Sequence, residues 1–130
     1  MADSFAHLHV HTEFSMLDGA ARVSELVEAV AADGQPAVAI TDHGVLYGVV
    51  DFVKAARGVG VKPIIGLEAY VTPGSRFDRL PRSKDKRYHT TILAENETGY
   101  RNLMQLASRA YLEGYYYKPR VDAELLAEHA

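Results

Sequence analysis

The sequence contains no cysteine. Disulfides and thiolate metal sites are thereby excluded, so any bound metal must be held by imidazole and carboxylate. Long apolar runs are lacking as well: none approaches the roughly 20 residues that cross a bilayer. The opening MADSFAHLHVHTEF has an acidic residue and histidines where a secretory signal has a basic start and an apolar stretch. These absences predict a cytoplasmic protein with no membrane partner. No one sign of charge dominates either, with 14 basic against 17 acidic residues and a formal net charge of -3, which argues against nucleic-acid binding through the overall field. One stretch departs from this balance. Between Arg76 and Arg87 the basic residues Arg76, Arg79, Arg82, Lys84, Lys86 and Arg87 face only Asp78 and Asp85, and the stretch reads equally as a solvated loop tip or a phosphate-contacting surface.

What is present is the composition of a soluble globular fold, 48% hydrophobic and 24% charged over 130 residues, enough for one domain or a piece of one. Alternation from Phe5 to Val10 reads as a first strand, followed by a polar loop from Thr12 to Gly19. Val23, Leu26, Val27, Val30 and Ala31 fall at helical spacing, with Gly34 and Pro36 as a stop. Ala37 to Thr41 is a second strand, Val45 to Gly58 a second helix, and KPIIGLEAYV, from Lys62 to Val71, a third strand apolar enough to be covered on both faces. A linker from Thr72 to Lys86 leads to a fourth strand centred on Thr90 to Ala94. A long helix from Glu97 to Tyr111 follows, then a short one capped by Asp122. This order predicts an α/β layer or barrel with parallel strands and right-handed crossovers. Phe14 and Met16 read as core, and Tyr115 to Tyr117 with Lys118 as packing residues in preference to a base-stacking platform.

His9 and His11, two apart in a strand, project from one face and can reach one ion; His7, on the same alternation, reads as structural. Asp42 and His43 close the second strand and Glu68 lies late in the third. In parallel α/β folds the C-terminal ends of strands form one functional rim, so these residues are expected to converge there. Imidazole with carboxylate suits Zn, Mn or Fe, and a bridging carboxylate, for which Glu68 is the candidate, can hold two ions close together. Asp42 reads equally as a group orienting a ligand imidazole and as a cap for the next turn. Asp18, in an Asp-Gly pair, reads on its own as a turn. His89, near the start of the fourth strand, falls at the wrong end of a parallel strand and joins the rim only if that strand begins deeper or the linker folds back.

The segments HLHVHTEFSMLDGA, AITDHGVLYGVVDF, KPIIGLEAYV, TILAENETGYRNLMQL and YYYKPRVDAELL resemble successive blocks of the N-terminal PHP (polymerase and histidinol phosphatase) domains of bacterial polymerase III alpha subunits. The first three resemble the metal motifs of PHP domains at large, the last two those of the polymerase branch. The resemblance covers nearly the whole chain. It implies the N-terminal portion, over residues 1–130, of a distorted (βα)7 barrel carrying up to a trinuclear cluster of Zn, Mn or Fe. His9, His11, Asp18, His43, Glu68 and His89 match the early metal ligands, and His11 and Glu68 are the expected catalytic residues. With a competent ligand at every matching position, the resemblance implies the active kind of domain, a 3′–5′ exonuclease that proofreads for DNA replication. The family's later ligands, a cysteine or histidine and an Asp-x-His, would lie beyond Ala130. This chain alone is then expected to be inactive, unable to extend DNA, and prone to self-association through an exposed strand edge.

The expected partners are the 3′ end of a primer strand, the remainder of a polymerase alpha subunit (a nucleotidyltransferase), and other replisome subunits. Two alternatives stand beside the exonuclease. A phosphatase of the same superfamily would prefer small phosphate esters to single-stranded DNA, and a noncatalytic brace that recruits a separate exonuclease would hold no transition metal.

Overall fold

The computed structural model describes residues 5–130. Helix α1 (Val23–Ala32) buries Val23, Val27 and Val30, the periodic positions of its sequence. Strand β1 (Ala37–Ile40) is buried at all four residues, as befits a strand covered on both faces. Helix α2 (Val49–Gly58) turns Val49, Phe52 and Ala56 inward. It starts four residues later than the apolar pattern from Val45 predicts, because the chain first turns at Gly44, whose φ of 67° is left-handed backbone that suits a residue without Cβ.

Strand β2 (Lys62–Val71) pairs parallel with β1, Ala37 opposite Lys62 and Ile40 opposite Ile65. Strand β3 (Tyr88–Leu93) lies on its other side. Helix α3 (Glu97–Leu112) is capped by the Asn96 side chain, which accepts from the Gly99 amide at 3.1 Å. The short β4 (Arg120–Val121) joins β2 in parallel at Tyr70 and Val71. Helix α4 (Ala123–Glu128) begins at Asp122, whose carboxylate accepts from the Leu125 amide as its sequence position predicts. The strands and crossover helices give the α/β class expected, with two core clusters. One joins α1 and α2 to β1 through Val27, Val38, Ile40 and Phe52; the other joins β2, α3 and α4 through Leu67, Leu103, Leu106, Val121 and Leu125.

Three sequence expectations are corrected. The Phe5–Val10 strand forms only an isolated bridge, His7 to Val38. The segment still runs along β1, with the Ala39 amide donating to the His7 carbonyl and the Thr41 amide to the Val10 carbonyl, both at 2.8 Å. Its ladder stops because the Val10 amide donates to the Thr41 hydroxyl at 3.0 Å instead of to a carbonyl. Strand β3 runs antiparallel to β2, Tyr70 opposite His89 and Gly66 opposite Leu93. No helix intervenes between them, and a parallel return requires a crossover. Finally, Phe14 packs half-buried against the first core cluster, but Met16 is 78% exposed; the 3-10 turn Glu13–Ser15 turns Ser15 inward and leaves Met16 outside.

Candidate metal centre

Side chains alternate along β2. Leu67 and Ala69 enter the second core cluster, so Glu68 and Tyr70 share the opposite face. Gly66 lies on that face too, where a Cβ would come within 2.7 Å of both Leu93 and Thr41; only glycine lets β1 and β3 close on β2 there. Just beyond, the chain leaving β1 stays paired: the Glu68 amide donates to the Asp42 carbonyl and the Gly44 amide to the Glu68 carbonyl. This sets His43 beside Glu68. The reversed direction of β3 settles the position of His89, because the start of an antiparallel strand lies at the end of its neighbour. His89 pairs across from Tyr70 and reaches the rim.

The structure thus brings all six predicted residues together. Glu68, 4% exposed, divides its carboxylate between two sets of imidazoles. Oε2 meets His9 Nε2 and, at 2.6 Å, His11 Nε2; Oε1 meets His89 Nδ1 at 2.5 Å, with His43 Nδ1 at 3.6 Å. Asp18 Oδ2 lies 2.5 Å from His43 Nε2 and 3.4 Å from His11 Nδ1. Burial pushes the Glu68 carboxyl up, but hydrogen bonds with His9, His11 and His89 outweigh it and hold the group at about 2. The hydrogen bond with His43 holds Asp18 below the ordinary carboxylate range. Both acids are therefore anionic at neutral pH, the state that a cation requires.

The donors fall into three groups, His9–His11–Glu68, His11–Asp18–His43 and His43–Glu68–His89, the ligand atoms of each lying within 4.8 Å of one another. Three residues, His11, His43 and Glu68, belong to two groups each. A further observation fits a cation: His43 Nδ1 is buried and without a hydrogen-bond partner, an arrangement that costs free energy unless something fills it. The donor set of neutral nitrogens and anionic oxygens suits divalent transition ions.

Asp42 neither orients an imidazole nor caps the turn that follows it; its carboxylate holds the earlier turn of Thr12 and Ser15. Its buried carboxylate accepts from the Thr12 amide at 2.6 Å, the Thr12 hydroxyl at 2.7 Å and the Ser15 hydroxyl at 2.6 Å. Ser15 in turn accepts from the His43 amide at 3.1 Å. The loop carrying His11 and Asp18 is thereby tied to the strand end carrying His43. Asp42→Ala leaves three buried donors without an acceptor, and we expect a loss of about 2–3 kcal/mol in denaturant unfolding, with metal affinity reduced roughly 10–100-fold in a titration.

His7 stays outside the cluster, its ring edge-on to Phe5 at 4.8 Å. Sequence reasoning passed over Tyr70, whose ring stacks on His43 at 5.7 Å and meets His89 edge-on at 4.9 Å; its place two residues after Glu68 was the available signal. Nor is the Arg76–Arg87 stretch uniformly solvated. Arg76 is 3% exposed and bonded to Asp122, Glu113 and Glu124, while Asp85 pairs with Arg87 and with the buried Arg120.

The model of the PHP domain matches residues 7–130. The chain belongs to the PHP family. The chain is 59% identical over 130 residues to the DNA polymerase III subunit alpha of Thermus aquaticus, covering 97% of this chain and 11% of that protein. It is 56% identical over 128 residues to the same subunit of Treponema pallidum, covering 98% and 11%. The chain therefore spans about a tenth of the length of these curated relatives. A Bifidobacterium adolescentis crystal structure, assigned as a metal-dependent phosphoesterase, superposes with a TM-score of 0.60 over 85% of this chain and 34% of that one at 22% identity, a likeness of fold. Among the described residues, no helix is long and apolar enough to cross a membrane.

Proposed function

We propose that this chain is the N-terminal portion of the metal-dependent phosphodiesterase element of a bacterial replicative polymerase, and that the complete PHP domain removes nucleotides from a primer 3′ end as a 3′–5′ exonuclease. The observation that carries this reading is the set of three ligand groups sharing His11, His43 and Glu68 at one rim, which fits a cluster of up to three ions, Zn or Mn foremost. Divalent ions bound there would lower the pKa of a water and offset charge on the departing oxygen. The chain's own residues then have distinct tasks. His9, His11, His43 and His89 would hold the ions through ring nitrogens, Asp18 and Glu68 would supply the negative charge, and Glu68 could serve two sides of the site because each of its oxygens faces a different pair of imidazoles. His11 and Glu68, whose Nε2 and Oε2 lie 2.6 Å apart at the centre of the site, are the catalytic residues on this reading.

The high identity to polymerase III alpha subunits supports a place in DNA replication, with the remainder of such a subunit, the primer 3′ end and other replisome subunits as partners, in the cytoplasm. The complete polypeptide, loaded with manganese, is expected to shorten single-stranded DNA from its 3′ end. Chelation should abolish this activity and manganese restore it. Preferential hydrolysis of small phosphate esters would replace the exonuclease with a phosphatase; absence of stoichiometric transition metal would leave only a structural brace.

A further inference from the structure

Beside the metal centre stands a cation that the cluster does not use. The Lys118 ammonium lies 5.3 Å from the centroid of the Tyr70 ring, the same ring that stacks on His43 and meets His89 edge-on. One aromatic ring therefore separates Lys118 from two of the candidate ligands. Arg76, Arg87, Arg109 and Arg120 are all engaged by carboxylates, whereas Lys118 makes no ion pair among the described residues and is exposed.

The segment that presents it is firmly held. Pro119 is buried against Gly44, where a Cβ would stand 2.8 Å from the proline ring. The Tyr116 amide donates to the Lys118 carbonyl at 3.1 Å, and the Tyr116 ring packs on the guanidinium groups of Arg79 and Arg120. Tyr117 adopts a φ of 58°. For a bulky residue this left-handed conformation costs about 1 kcal/mol or more, and such strain persists where the surroundings impose it. The Tyr117 ring is 52% exposed, with the Tyr116 ring 4.5 Å away on one side and the Arg82 guanidinium 5.7 Å from its centroid. Tyr115 and Tyr117, expected as partly buried packing residues, pack on Tyr111 and Tyr116 while remaining more than half exposed.

We propose that Lys118 and Tyr117 dock a single-stranded nucleic-acid end for the metal centre. The ammonium takes a phosphate adjoining the one that reaches the ligands, and the Tyr117 face takes a base. Both groups are sequence-tolerant, since every nucleotide has a phosphate and a π-face, as an enzyme acting on any 3′ end requires. This inference rests on the phosphodiesterase reading above and names the part of the substrate that Tyr117 and Lys118 touch.

The test uses the complete polypeptide loaded with manganese and an oligonucleotide carrying 5-iododeoxyuridine near its 3′ end. K118A is expected to raise KM for the oligonucleotide about tenfold, with kcat within about twofold, and to lower the salt slope of log kcat/KM by about one; K118R should recover most of the loss. Ultraviolet crosslinking, which needs no turnover, should attach the oligonucleotide to Tyr117, and both Y117L and K118A should diminish that product. Cleavage with unchanged KM and salt slope in K118A would overturn the docking role and leave the phosphodiesterase reading intact. A Tyr117 crosslink weakened in K118A, in a wild-type protein that cleaves nothing, would support docking and overturn the phosphodiesterase reading. Neither cleavage nor crosslink would overturn both.

Discussion

Glu68→Gln in the complete polypeptide is expected to lower divalent-metal affinity at least about 100-fold and phosphodiester cleavage about 10³-fold or more. The size of the effect follows from where the two oxygens lie. Oε2 serves the His9 and His11 side and Oε1 the His89 and His43 side, so one substitution withdraws the anion from two ligand groups at once. Glutamine keeps the volume but brings no charge and only one acceptor oxygen. Removal of His9 should cost less, because His9 belongs to a single group. Elemental analysis of the dialysed variant, paired with initial rates, checks both halves. Wild-type metal content and rate in Glu68→Gln would contradict the bridging role.

The second large effect concerns stability. Asp122 accepts from the Arg76 guanidinium Nη1 at 3.0 and 3.2 Å and from the Arg76 amide at 2.8 Å, and caps α4 through Leu125. Arg76 is buried, and a buried guanidinium that loses a carboxylate keeps its desolvation cost without the compensating charge. Glu113 and Glu124 remain as partners, which limits the damage. We expect Asp122→Ala to lose about 3–4 kcal/mol from the ion pair and the cap together, a drop in Tm of roughly 10 °C. Glu124→Ala, at a far more exposed carboxylate, should change stability by less than about 1 kcal/mol.

The pH dependence of that difference has a definite sign. Burial pushes the Asp122 carboxyl up, but its hydrogen bonds from the Arg76 and Leu125 amides and from the Arg76 side chain bring it below its ordinary value. A folded-state pKa depressed in this way contributes stability that is present above the unfolded value of about 3.9 and lost as pH falls below it. The gap between wild type and Asp122→Ala should therefore be full at pH 7 and shrink below about pH 4. A gap that grows on acidification would contradict the assignment.

Much of the architecture was legible because apolar spacing and strand-end residues carry it. Val23, Val27 and Val30 mark the buried stripe of α1, and His11, His43 and Glu68 meet because strand ends converge whatever their separation in sequence. The direction of β3 was not legible from alternation, since a period of two is the same read forwards or backwards. The missing helix between Val71 and Tyr88 held that information, and His89 depended on it: parallel, the residue falls at the far end; antiparallel, it stands opposite Tyr70. Asp42 was ambiguous for another reason. A carboxylate at a strand end can face an imidazole or a turn, and only the positions of Thr12 and Ser15 decide between them. The burial of Arg76 was not legible either, because its acidic partners Glu113 and Asp122 lie some 40 residues further along the chain.

The most direct test of the metal centre is anomalous diffraction from crystals of the complete polypeptide grown with manganese or zinc, recorded at the absorption edge of the metal. The account predicts peaks within coordination distance of the three groups, with Glu68 between two of them. Density maps in which His9, His11, His43 and Glu68 keep their positions with no anomalous peak among them would contradict it.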